Sequence, residues 1–335
     1  MSERTHHDDP SDRAADIVAR AIARAMKAGA AACDVVLVES QSSEARVRGR
    51  EIDFVKQARE RGLGIRALVR DSARGEGLSS AVTSTSDLSP EAVDRMADET
   101  VALARATAPD PHAGLPDGGF AGDAAALDLG LFEPGDADVP IDARIADAFA
   151  AEAAARASDP RITNSEGTQV GSDASAVTYG NSQGFLGSYS TGAHSLFCEP
   201  LASDGRAMQR DYWMTVGRRL AALESLESVG RTPAARALRR LGGRRAKTGE
   251  APVIFDAMTA PSLVRHVAGC ASRYAIYRDA SFLAGRLGER VANERVSIVD
   301  DGRLPGGLGS KPFDGEGLPT RRNVLVENGR LRSWL

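Results

Sequence analysis

The chain's 335 residues are enough for two domains, and its 42% hydrophobic content supports substantial cores, which at 5% aromatic residues must be aliphatic and alanine-rich. A net charge of −4 excludes a global basic field of the kind that recruits nucleic acid, so no direct nucleic-acid partner is expected. No uninterrupted apolar run approaches the ~20 residues of a membrane span. The three sparse cysteines, Cys33, Cys198 and Cys270, are unlike a disulfide framework, so a soluble, cytoplasmic chain without membrane contact is expected.

The opening MSERTHHDDPSDRAAD is polar and acidic and lacks the apolar core of a secretory signal. Residues 1–12 read as a disordered tail, in which His6 and His7 suit adventitious metal binding rather than function. The run 13–28 places Ile17, Val18, Ala21, Ile22, Ala25 and Met26 on one helical face, with Gly29 as the stop. CDVVLVES is rich in strand formers, and GLGIRALVRDSARGEGLSSAVT predicts two strands around a polar turn. In LSPEAVDRMADETVALARAT, Ser89 is the N-cap candidate and Pro90 the first helical residue. Residues 13–108 thus predict an α/β domain, and the Pro-, Gly- and Asp-rich stretch 109–140 a linker or crossover.

A helix is predicted over DARIADAFAAEAAARAS. From Arg161 to Gly217 polar and apolar residues roughly alternate, with Gly and Asn-Ser punctuation, which predicts antiparallel strands. Another helix is predicted from Thr232, as cap, to Gly242, with Pro233 just inside. APVIFD reads as a short buried strand leading into a helix that starts near Thr259 and tolerates Pro261 in its first turn. NVLVEN and RLRSWL are the final strand-like runs, so residues 141–335 predict a β-rich C-terminal domain and the whole chain an α+β fold.

In SLVRHVAGCASR, His266 and Cys270 lie four apart and share a helical face, so the two could grip one cation. A second pair with that spacing, His194 and Cys198, falls in a predicted strand, where four residues span roughly 13 Å, too far for a shared ion. A buried, small, apolar role suits Cys270 better than ligation. Asp300, Asp301, Asp314 and Glu316 offer paired carboxylates for acid/base work or a hard cation, but their setting beside glycines favours tight turns. Arg239, Arg240, Arg244 and Arg245 form a basic cluster that reads as a solvated helix end. GGLGSKP lacks the ending and setting of a phosphate loop, and no Gly-x-Ser-x-Gly elbow occurs. Side-chain chemistry alone demonstrates no active site.

The segment SFLAGRLGERVANERVSIVDDGRLPGGLGSKPFDGEGLPTRRNVLVENGRLRSWL closely resembles the TldD/PmbA family, the modulators of DNA gyrase and microcin-maturation proteases. The resemblance extends upstream through RGLGIRALVRDSARGEGLSSA, DPRITNSEGTQV, SQGFLGSYSTGAHSLFCEPLASDGRAMQRDYW and TGEAPVIFDAMTAPSLVRHVAG, covering nearly the whole chain. It implies an N-terminal α/β domain followed by a β-rich C-terminal domain. Because family members continue beyond the point where RSWL stops, that C-terminal domain is expected to be incomplete. In the family, TldD-like members carry His-Glu-x-x-x-His on a helix and are zinc metalloproteases. PmbA-like members, also called TldE, lack the motif and pair with them to process an extended peptide. Counting back without gaps from Ser281, the resemblance sets the first ligand position on Val264, the glutamate on Arg265 and the second histidine on Gly269. It therefore implies a PmbA/TldE-like subunit with no catalytic residue, metal ligand or cofactor of its own, and zinc held by a TldD-like heterodimer partner. Strand edges within 161–217 are candidates for pairing with the extended peptide. Two alternatives stay open: a self-sufficient zinc metalloprotease using His266 and Cys270 as non-standard ligands, and a noncatalytic gyrase-associated binding protein.

Overall fold

A computed structural model describes residues 10–71, 73, 75–122 and 126–335, so the tail histidines His6 and His7 lie outside the described residues. The chain divides into two units, one running to Gly243 and including Pro305–Pro319, the other made of Arg244–Leu304 and Thr320–Leu335.

The first predicted helix is α1 (Pro10–Lys27), whose Val18, Ala21 and Ala25 are fully buried with Ile17 and Ile22 packed beside them. Met26, expected on that face, is exposed. At about 100° per residue it sits at the margin of the stripe centred on Val18, Ala21 and Ala25. Gly29 ends the helix at a φ of 98°, where only glycine is unstrained, and the Arg105 guanidinium donates to the carbonyl of Ala28 at 2.7 Å.

Strands β1 (Ala32–Arg48) and β2 (Glu51–Val69) form a hairpin longer than the sequence pattern indicated. The turn is Gly49-Arg50, both at positive φ (71° and 121°). Strand β3 (Ser79–Thr85) pairs only with Leu63–Val69 of β2. Helix α2 (Pro90–Ala106) begins where predicted, but the Ser89 side chain makes no capping bond. The Asp87 carboxylate instead accepts from the Ser89 amide at 2.9 Å.

A short α3 (Pro134–Ala137) and α4 (Ile141–Ala157) precede a second long hairpin, β4 (Ile162–Asn181) and β5 (Leu186–Ser203), with β6 (Met208–Arg210) and β7 (Trp213–Gly217) on its far side. Strand β4 lies antiparallel to β1 from Asp34–Asn181 to Val47–Thr168. One seven-stranded sheet results, in the order β3-β2-β1-β4-β5-β6, with β7 also on β5. Strands from both sides of the 109–140 connection share it, so the sheet does not divide at the expected boundary between 13–108 and 141–335. Alternation within each segment marks strands but not their neighbours, and pairing β1 with β4 joins two half-buried hairpins over a common apolar face.

All four long helices of this unit cover that face. Cys33, Val35 and Leu37 pack with α1 and α2, while Ala45 and Val47, at the same parity further along β1, pack with α4 and α5 (Leu226–Arg240). Between the two layers the strip is polar, leaving a groove of about 750 Å³ lined by Glu39, Gln41, Arg59, Arg61, Ala174 and Ala176. Helix α5 starts six residues before the predicted Thr232. Ser225 caps it, its hydroxyl accepting from the Ser228 amide at 3.2 Å, and Pro233 lies inside the helix. Gly230 permits close contact between α4 and α5, since a Cβ there would lie 2.2 Å from the carbonyl oxygen of Ala151. Arg239 and Arg240 occupy the last turn, matching the helix-end reading.

The second unit holds α6 (Pro261–Cys270), α7 (Arg273–Tyr277) and a small sheet of β8 (Ile298–Asp301), β9 (Arg322–Glu327) and β10 (Arg330–Leu331) in the order β10-β9-β8. Its core is Ala271, Leu283, Ile298, Leu325, Val326 and Leu331. The predicted buried strand at 251–256 forms no strand, and Val253 and Ile254 are 73% and 95% exposed. A short apolar run becomes a strand only with a neighbour to complete its hydrogen bonds, and none of the described strands pairs with it.

Candidate functional site

The helix singled out in the sequence is α6. Asp256 organises its approach, its carboxylate accepting from the Thr259 amide (2.9 Å) and hydroxyl (2.8 Å), and Pro261 occupies the first helical position. None of the ten helical residues is buried. Val264 is 48% exposed and, with Leu263, Val267, Phe282, Val291 and Ile298, lines an apolar cavity of about 280 Å³. Arg265 and Gly269 are exposed, and a Cβ at Gly269 would meet nothing within 4 Å. Space therefore exists for a histidine at 269; what is missing is a donor atom.

That donor set does not fit zinc. Valine and glycine offer no side-chain lone pair, and a guanidinium stays cationic and cannot serve as a general base. Catalytic zinc needs three protein ligands and an open position. Among the described residues no group of three or more His, Cys, Asp or Glu could hold a metal ion. His266 and Cys270 do share a face, with Nε2 3.9 Å from Sγ, and the imidazole is stacked on Phe282 at 6.2 Å between centroids. Cys270 is half-buried rather than buried, a correction that follows from its place, with Val267 and Ala268, at the margin of the small unit's core.

The other predicted pair lies on β5. His194 and Cys198 point to one face and are both buried, but into different surroundings. Cys198 Sγ is 3.2 Å from the hydroxyl of Thr168, and burial pushes its thiol up to about 11. His194 Nδ1 meets the Ser172 hydroxyl at 2.6 Å and its Nε2 lies 3.9 Å from Asp136. The buried Arg144 donates to that hydroxyl and to the carbonyl of Gly171. Burial, and then Arg144, hold the His194 pKa below its ordinary value. Sequence reading missed this network, whose members are scattered over almost sixty residues.

The opposite face of the large sheet carries a second cleft, about 220 Å³, with Asp34 and Arg66 beside Tyr179, Tyr189 and Phe313. Arg66 grips Asp34 through two bonds (2.9 and 2.6 Å) and the Tyr179 hydroxyl donates to the same carboxylate at 3.0 Å. Burial and Asp34 raise the Tyr179 pKa, which keeps the phenol a donor. Cys33, next to Asp34 in the chain but turned to the helix-covered face, is buried and pushed up to about 12, so it is no nucleophile at neutral pH. The four acidic candidates serve turns and pairs. Asp314 accepts from the Glu316 and Leu318 amides, Asp301 from the Arg303 amide and Asp300 from Asn323, while Glu316 lies 3.5 Å from Arg66. Within 161–217, β4 pairs on both sides, while β5 pairs with β4 along its length and with β7 and β6 only from His194 onward, which leaves its outer side free of a strand partner before that residue. Among the described residues the sheet's open edges are the part of β2 not covered by β3, the outer side of β3, and the outer side of β5 before His194, where neither β6 nor β7 reaches.

Three family models match in order: PmbA/TldA metallopeptidase domain 1 over residues 33–104, the central domain over 134–241 and the C-terminal domain over 248–335. Metalloprotease PmbA of Escherichia coli O157:H7 is 40% identical over 253 residues, 75% of this chain and 55% of that protein. The Metalloprotease PmbA homolog of Haemophilus influenzae is 35% identical over 319 residues, 95% of this chain and 68% of that protein. A Bacteroides thetaiotaomicron protein, solved as a candidate modulator of DNA gyrase, superposes with a TM-score of 0.84 at 25% identity, covering 95% of this chain and 71% of that one. TldE from Thermococcus kodakarensis shares the fold, with a TM-score of 0.74 at 20% identity over 95% of this chain and 69% of that one. The chain belongs to the PmbA/TldD metallopeptidase family, and its match spans little more than half of the E. coli relative. Among the described residues no helix is long and apolar enough to cross a membrane.

Proposed function

We propose that this chain is a PmbA/TldE-like subunit of a cytoplasmic, TldD/TldE-type peptide-processing metalloprotease, lacking catalytic zinc of its own and supporting a TldD-like partner in a heterodimer. The observation that carries the reading is the side-chain set Val264, Arg265 and Gly269 on exposed α6, which supplies neither a ligand nor a base. Zinc held by the partner would supply the Lewis acid for peptide hydrolysis. This chain's residues contribute groove wall and interface. The groove over Glu39, Gln41, Ala174 and Ala176, beside the open part of β2, suits an extended peptide that pairs with a strand edge and sets alternate side chains into the groove. The test is co-expression with a His-Glu-x-x-x-His paralogue from the same genome. Complex formation and chelator-sensitive peptide cleavage are expected together, with neither chain active alone. Chelator-sensitive cleavage by this chain alone, abolished by His266→Ala, would overturn the assignment.

A further inference from the structure

On α6, His266 and Cys270 present Nε2 and Sγ 3.9 Å apart. Zinc–sulfur and zinc–nitrogen bonds of about 2.3 and 2.05 Å at a tetrahedral angle set these atoms about 3.6 Å apart. The two donors therefore stand a few tenths of an ångström from chelating distance without any change of backbone. Stacking on Phe282, 6.2 Å between centroids with planes 19° apart, restrains the imidazole in that direction. His266 is exposed and Cys270 half-exposed, so an ion can reach both and keep water on its other positions.

We propose that His266 and Cys270 form a two-ligand clamp for a zinc-class divalent ion, distinct from any catalytic centre of the family. The direction of the clamp separates it from the aligned positions. At about 100° per residue, the midpoint of His266 and Cys270 lies roughly 150° around the helix from that of Val264 and Gly269. An ion held here faces away from the side where the aligned ligands would project. Imidazole with thiolate selects zinc, cobalt or copper over calcium or magnesium. On binding, the Cys270 thiol loses its proton to solvent as the metal–sulfur bond forms, so occupancy rises with pH. With only two protein ligands, the remaining positions stay exchangeable and accept water or a donor side chain from a bound peptide. This inference goes beyond the subunit reading and does not depend on it: the clamp needs only this chain, and it predicts metal without proteolysis.

The experiment titrates cobalt(II) into the full chain carrying His6→Ala and His7→Ala, which removes the tail imidazoles. One ion per chain is expected, with a thiolate-to-cobalt charge-transfer band that zinc quenches on displacement. His266→Ala and Cys270→Ser should each weaken binding at least tenfold, and Cys270→Ser should abolish the band. Phe282→Leu, which removes the stack and keeps the ligands, should weaken binding less and leave the band. Helical circular dichroism and the melting temperature check that each variant is folded. A titration without a sulfur band, or Cys270→Ser binding as tightly as the parent, overturns the proposal. Chelator-sensitive peptide cleavage by the chain alone that survives His266→Ala and Cys270→Ser would instead strike the subunit reading, whereas cleavage lost in those variants would overturn the clamp's separateness from catalysis as well.

Discussion

Arg218 fastens the segment 305–319 to the large sheet, and replacing it with methionine isolates what that fastening contributes. The guanidinium is almost fully buried, and among the described residues no carboxylate lies within ion-pair distance of it. It donates to the Thr191 hydroxyl, to the carbonyl of Gly192 at 2.8 Å, to Leu308 at 2.7 Å and twice to Gly307 at 3.1 and 3.3 Å. Burial without a counter-charge lowers its pKa, so part of the hydrogen-bond energy is already offset by desolvation. Hydrogen bonds from a charged donor contribute about 1.5–3 kcal/mol each, but those in one network are not additive. Methionine refills the aliphatic volume and leaves the acceptors unpaired, so the net loss comes to about 2–4 kcal/mol. At ~2–4 °C per kcal/mol for a domain of this size, the melting temperature should fall by about 5–15 °C. Hydrogen exchange should accelerate first in 305–319, since the loop also hangs on the Gly306 amide to the Leu129 carbonyl at 2.7 Å and can open locally. Arg218→Lys, a point charge with fewer donors, should fall between the two. A fall below ~2 °C in Arg218→Met, with unchanged exchange in 305–319, would refute the reasoning.

Three further outcomes follow from the same geometry. His194 has a lowered folded pKa, so the unfolded chain takes up its proton first as pH falls through about 6.5. Stability should therefore decline between pH 7.5 and 5.5, and His194→Gln should flatten that decline in urea titrations; an unchanged slope would exclude this histidine as the cause. Gly230→Ala would place a methyl 2.2 Å from the Ala151 carbonyl oxygen, force α5 away from α4 and cost about 1–3 kcal/mol, read as a lower urea midpoint. Installing Val264→His, Arg265→Glu and Gly269→His together in a Cys270→Ser background should create zinc binding detectable by titration but lost on dialysis, because it supplies two imidazoles where catalytic zinc needs three protein ligands, and the exposed helix leaves room at 269. Titration without any zinc binding in that variant would show that more than side-chain identity separates α6 from a zinc helix.

What the sequence makes legible here is local. Helices α1 and α2 follow from their period and from Gly29 and Pro90, and the i,i+4 meeting of His266 with Cys270 follows from helix geometry alone. Burial at those residues was not legible, because it depends on what packs against α6: Val267, Ala268 and Cys270 lean on the small unit's core and are half-buried, while the rest of the helix is exposed. The start of α5 was misplaced because Thr232-Pro233 mimics a helix entry, whereas the Ser225 hydroxyl on the Ser228 amide is what satisfies the first turn. The joining of β1 to β4 brings Ser43 opposite Ser172, a pairing that no spacing rule encodes. The network of Asp136, Arg144, Ser172 and His194 exists only once that sheet has formed and α3 and α4 have been laid against it. The α6 positions differ in kind: their chemistry is decided by what Val264, Arg265 and Gly269 lack, and a missing lone pair is readable in one dimension. Side-chain identity along a helix is therefore legible in the sequence, whereas the Arg218 anchor and the His194 network had to wait for the fold to bring distant residues together.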